Sequence, residues 1–187
     1  MTDLTKGSEL KRLFVFALPI FLGNLFEQLY NVTDTAIVGN FLGAEKLAAV
    51  GSSTQIVALT VSVSTGMSIG ASVIISQLYG AKRNQNMKEV VDTNLIFICL
   101  FSFFLMIFGL LYSPVFLEHL NVPAGLLSDA NAYLQTILLG LPFLFAYNTL
   151  ANVLRGLGDS KTPTFILISS VFLNVLLDVI FIKIFTY

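Results

Sequence analysis

No charged residue stands between Lys46 and Lys82. About 20 consecutive apolar residues in a helix cross the hydrocarbon core of a bilayer. This stretch exceeds that length, so it predicts a spanning helix that tilts or protrudes on one side. Four other apolar runs of spanning length accompany it. The composition agrees: 56% of the residues are hydrophobic and 11% charged, against about 25% charged in an average soluble domain. The expected fold is all-α, a polytopic membrane bundle of about five transmembrane helices.

The first span runs from about Leu13 to Val38, with Gly39 and Gly43 marking the turn. The second covers about residues 48–79. The third runs from about Thr93 to Tyr112 and is expected to stop at Ser113-Pro114. The fourth runs from about Ala130 to Leu154 with Pro142 inside it, and the fifth covers residues 163–187, starting at Pro163, a favoured first-turn residue. Residues 1–12 form a short segment before the membrane part, 13–187.

Basic residues set the orientation. Lys6, Lys11 and Arg12 precede the first span, Lys82, Arg83 and Lys88 separate the second and third, and Arg155 and Lys161 separate the fourth and fifth. All fall on one side. The other side has only Lys46 and Lys183. The N-terminus is therefore expected inside and the C-terminus outside, in a plasma membrane. Lys11 and Arg12 imitate a signal-peptide start, but the run behind them is too long and carries Glu27 and Asp34, so the first helix is expected to remain.

Carboxylates inside such spans demand an explanation. One at a helix centre costs about 2.5–3.5 kcal/mol on insertion scales, and such residues usually face a protein interior or a water-filled path. Asp34 lies in the first span and Asp178 in the fifth. Asn24, Glu27, Gln28, Asn31, Asp34 and Thr35 recur at helical spacing on one face of the first helix. That stripe is either a hydrogen-bonded packing seam or the wall of a cavity. Asn174 and Asp178 stand four residues apart on the fifth helix and so share a face. Amide and carboxylate oxygens form a hard site suited to Na+ or a proton. If Asp34 approaches Asp178, the two titrate as a unit. The bland alternative pairs Asp178 with Lys183, which lies off that face and snorkels outward.

Other features carry less. Ser62, Ser64, Thr65, Ser68, Ser72 and Ser76, with a Gly66–Gly70 GxxxG, suggest close packing by the second helix. Pro19 and Pro142 each free a carbonyl and permit a bend. The single cysteine, Cys99, allows no internal disulfide, and the one histidine, His119, sits in a loop without partners. There is no phosphate loop, no HExxH, no catalytic triad and no basic stripe for nucleic acid. Nothing points to an enzyme or to a cofactor beyond a coupling ion.

The segments LPIFLGNLFEQLYNVTDTAIVGNFLGAEKLAAVG, SQLYGAKRNQNMKEV, ANAYLQTILLGLPFLFAYNTLANVLRGLGDSKTP and FLNVLLDVIFI occur in this order from about Leu10 onward. Together they resemble the N-terminal lobe of multidrug and toxic compound extrusion (MATE) transporters. The resemblance implies a coupling-cation site at Asp34, Asn174 and Asp178, with Na+ the metal in the sodium case. It also implies cavity residues at Tyr133 and Asn148, beside the Asn31 and Glu27 of the polar stripe, and a helix bend at Pro19. It implies Na+- or H+-coupled export of cationic amphiphilic drugs by a protein of twelve helices in two lobes. Five helices then amount to an incomplete six-helix lobe. The expected partners are membrane lipid, cationic drugs and a C-terminal half, and the chain by itself is expected to be inactive. A related flippase for lipid-linked oligosaccharides is the competing reading. It would call for basic residues in the cavity, and the spans have none besides Lys183 near an end. A non-transporting membrane fragment is the third.

Overall fold

The computed structural model describes residues 9–185, apart from the side chains of Glu9, Arg12, Leu42 and residues 182–185. Lys6 and the side chains of Arg12 and Lys183, used in the topology argument, thus lie outside the described residues. The elements are α1 (Glu9–Ile37), a π-helical stretch (Val38–Leu42), α2 (Gly43–Gly80), α3 (Asn84–His119), α4 (Ala124–Leu139), α5 (Leu141–Gly156) and α6 (Lys161–Phe185). They divide into two compact units, one from Met1–Gly43 with Leu157–Tyr187 and one from Ala44–Gly156.

In the Ala44–Gly156 unit, α3 is built inside out. Ile98, Ser102, Gly109, Ser113 and Leu117 are buried. Leu100, Phe104, Ile107 and Leu111 recur at helical spacing on an exposed face. Serine and glycine inside with leucine and phenylalanine outside suits a helix solvated by lipid. Small residues let helices approach, and the apolar face has no reason to hide.

Contacts set the directions of these helices. Ser113 meets Asn131, a Cβ on Gly109 would meet Leu138, and Phe101 packs on Phe145. Partners on α4 and α5 advance while those on α3 retreat, so α3 is antiparallel to both. Against α2 the order is reversed. Ser53 donates to the Ala130 carbonyl at 3.1 Å, Asn148 Nδ2 donates to Ser64 Oγ at 3.1 Å, and Ser68 and Thr149 share a hydrogen bond of 3.2 Å. Thus α2 runs parallel to α4 and α5. Those two helices meet at a 46° bend and are together long and apolar enough for one broken crossing. Four helices, Leu13–Phe41, Gly43–Gly80, Asn84–His119 and Lys161–Phe181, are each long and apolar enough to cross a membrane, and the bent pair counted as one span makes five among the described residues.

Several sequence expectations need correction. The third helix does not stop at Ser113-Pro114 but continues to His119 with Pro114 inside. Proline withdraws the N–H that Leu110 O would accept. The Ser113 hydroxyl stands 3.4 Å from that carbonyl, and it bonds Asn131 Oδ1 at 2.7 Å and Gln135 Nε2 at 3.3 Å. This network ties the turn that holds Pro114 to α4. His119, expected in a loop, is the last residue of α3, where its Nδ1 lies 2.8 Å from Val115 O. Pro142 lies in the first turn of α5, just past the break at Gly140, rather than within a continuous helix. The turn expected at Gly39 is a widened helical stretch, and the chain breaks only at Gly43, whose φ of 85° favours glycine. At 38 residues, α2 is about 57 Å long by its rise of 1.5 Å per residue, well beyond the hydrocarbon thickness. The glycines of the GxxxG meet no atom within 4 Å of a built Cβ. The serine face packs instead.

Candidate cation site

The first unit consists of α1, the π-helical stretch and α6. Gly23 is buried, and a Cβ there would stand 3.2 Å from Leu167 Cδ2 and 3.4 Å from Thr164 Cγ2. Farther along, the rings of Phe26 and Phe172 lie 6.4 Å apart, tilted by 50°. Farther still, Asp34 and Asp178 come within electrostatic reach of each other. Partner numbers rise together along both helices, so α1 and α6 are parallel.

Both carboxylates are half-buried. Asp178 Oδ2 is buried without a hydrogen-bond partner. A buried acceptor left unsatisfied is costly, and a cation or a proton would satisfy it. The donor chemistry therefore fits a small hard cation: two carboxylates, with the Asn174 amide one turn before Asp178 on α6. Asn174 itself is exposed. Among the described residues, no group of three or more His, Cys, Asp or Glu side chains gathers as a metal cluster, so a cation held here relies on amide or backbone oxygens beside the acidic pair.

The remaining predicted residues are placed as follows. Glu27 and Asn31 are exposed on α1, where Thr35 Oγ1 donates to Asn31 O at 2.7 Å. Pro19 lies inside α1, half-buried. Tyr133 is half-buried on α4. Asn148, on α5, spends its amide on Ser64, while Asn152 Nδ2 donates back to Asn148 O at 2.9 Å. The sequence reading missed the Ser64–Asn148 and Ser68–Thr149 ladder as a unit. Its signal was present in the three- and four-residue spacing of Asn148, Thr149, Asn152 and Gly156, a polar and small face opposite the serines of α2.

Comparison with known proteins places this architecture. The model of the MatE family matches residues 19–180. The probable multidrug resistance protein YpnP of Bacillus subtilis (strain 168) is 34% identical over 183 residues, 98% of this chain and 41% of the relative. YoeA of the same organism, also described as a probable multidrug resistance protein, is 32% identical over 92% of this chain and 37% of its own length. The solved structure of the MATE multidrug transporter DinF-BH superposes with a TM-score of 0.86 at 28% identity, covering 94% of this chain and 39% of that one. The chain thus spans about two fifths of the length of the relatives it matches. A match over most of the chain and a shared bundle of crossings lead to one conclusion: the chain belongs to the MatE family of membrane transporters.

Proposed function

We propose that this chain forms the cation-coupling part of an antiporter that exchanges Na+ or H+ for cationic amphiphilic drugs or toxic compounds across the plasma membrane. The observation that supports this is the pairing of α1 with α6, which carry Asp34 and Asp178 past the Phe26–Phe172 contact in the same direction, with one Asp178 oxygen lacking a hydrogen-bond partner. Two carboxylates close together in a poorly polarisable medium repel strongly when both are charged. A bound cation relieves that repulsion, and its departure restores it. The pair is thereby a two-state element that an ion on either side can bias. Carboxylates facing a cavity also favour cationic cargo. The multidrug-resistance names of the relatives support drug export over lipid-linked oligosaccharide flipping.

The test is drug accumulation in efflux-deficient cells that express the gene in its full reading frame. Asp34→Asn and Asp178→Asn keep the side-chain shape and remove the charge. Each is expected to abolish ion-driven efflux of a cationic dye at unchanged membrane abundance. Full efflux by either variant would overturn the coupling role.

A further inference from the structure

A groove of about 640 Å³ runs between α2 and α3, within the range of about 300–1,000 Å³ seen for small-molecule sites. Its α2 wall includes Gly66, Gly70, Ile74 and Leu78. No atom lies within 4 Å of a Cβ built on either glycine, so the bare backbone there forms the floor of a trough. Phe97 stands on the α3 wall. Side chains of this kind receive an apolar tail and give no preference for its head.

The charge is what selects the head. Glu89 is the one charged residue in the lining, and Lys82, Arg83 and Lys88 are not part of it. The Gln85 amide donates to Glu89 Oε1 at 3.2 Å. That neutral bond steadies the carboxylate and leaves its charge uncompensated for an occupant. Asn94 lies five residues deeper on the same wall, about 7.5 Å along the helix. Its Nδ2 is buried with no hydrogen-bond partner. Phe97 is eight residues beyond Glu89, about 12 Å along. A carboxylate, an amide and an aromatic ring thus follow one another from the turn end of the groove inward.

We propose that this groove binds a single-chain amphiphile with an ammonium head and a hydrogen-bond acceptor close behind it. The ammonium meets Glu89. The acceptor draws the Asn94 amide outward and gives it the partner it lacks. The tail lies along Gly66 and Gly70 against Phe97. An anionic head is repelled by Glu89, and a neutral one gains nothing from it. The groove shares no residue with the Asp34 and Asp178 pair, so it is a separate site and does not rest on ion exchange. By the basic-residue bias its turn end faces inward, so it takes its ligand from the inner leaflet.

This chain has no tryptophan, so Phe97→Trp creates a single emitter in the groove. The experiment measures its quenching in phosphatidylcholine vesicles by the choline ester of a terminally brominated undecanoic acid. The comparison is the uncharged neohexyl ester, in which carbon replaces the ammonium nitrogen. Phe104→Trp, on the exposed face of α3, reports how much of each probe the bilayer takes up. After that correction the choline ester is expected to bind about fivefold tighter, the upper range for one exposed ion pair. Glu89→Gln should erase the difference, and Lys82→Gln with Arg83→Gln should leave it in place. Asn94→Leu and Gly70→Leu should each weaken both esters. Leu78→Trp repeats the measurement at a second position, should Phe97→Trp disturb the packing. Asp34→Asn and Asp178→Asn, which test ion coupling, should leave the preference unchanged, so the two readings fail separately. Equal binding of the two esters, or a preference that survives Glu89→Gln, overturns the proposal. So does quenching no greater than at Phe104→Trp, which would mean that protein covers the groove. Displacement of the choline ester by phosphatidylethanolamine added to the vesicles would assign the groove to membrane lipid and overturn it too.

Discussion

Gly156→Ala should destabilise the protein although alanine is the better helix former. Gly156 closes α5 against α2, and a Cβ there would stand 3.0 Å from Ser72 O and 3.6 Å from Ser72 Cβ. The obstructing atom is a backbone carbonyl in the middle of α2, which cannot rotate aside as a side chain would. The helices must separate by a few tenths of an ångström, straining the Ser68–Thr149 and Ser64–Asn148 bonds two turns away. Overpacking of this kind costs about 1–3 kcal/mol. Replacing helical glycine by alanine returns about 0.8–1.0 kcal/mol. The net effect is a loss of up to about 2 kcal/mol from these two ranges. Gly51→Ala is the control: Gly51 is helical and exposed, with nothing within 4 Å of its Cβ, so only the propensity gain remains. Thermal unfolding in detergent, followed by circular dichroism, reads the difference directly. A thiol-reactive dye would be misleading because Cys99 is exposed in the native fold. Gly51→Ala should melt several degrees above Gly156→Ala. If Gly156→Ala is as stable as Gly51→Ala, the close approach of α5 to α2 is not as described.

Asp159 should make stability pH-dependent at the start of α6. The Thr162 hydroxyl at 2.6 Å, then the Thr162 N–H at 3.0 Å and the Lys161 N–H at 3.1 Å, hold its carboxyl below its ordinary value. A depressed pKa contributes stability that is complete above the unfolded value of about 3.9 and disappears as pH falls through the folded one. Asp159→Ala should therefore cost about 1 kcal/mol at neutral pH and progressively less below pH 4, in unfolding curves taken across that range. Gly43→Ala should destabilise by about 1 kcal/mol or more, because its φ of 85° is closed to a side chain; the same unfolding assay applies. Lys46 and Asp129 pair at 2.6 Å with both side chains well exposed, so a double-mutant cycle should give at most about 1 kcal/mol, falling with added salt. Ser68→Ala should cost about 0.6 kcal/mol, the average for a hydrogen bond between membrane helices, as measured by unfolding in mixed micelles.

The sequence by itself determined that this chain crosses a membrane and where its polar exceptions lie. Transfer of a residue into lipid is nearly additive along a helix, so apolar runs and the charges that bound them are readable without contacts. Asp34 and Asp178 were legible for the same reason, as isolated costs in apolar runs. That their two helices pack side by side was not legible. That depends on Gly23 letting α1 approach α6 at Thr164 and Leu167, and on the two helices running parallel. Local pattern also misled at Pro114 and at the GxxxG. A proline ends a helix only where nothing else holds the turn, and here Ser113, Asn131 and Gln135 hold it. Two glycines make an interface only where another helix reaches them, and here they line an open trough. Tertiary structure decided these points because each depends on what lies across from a residue, and residues far apart in the chain supply that.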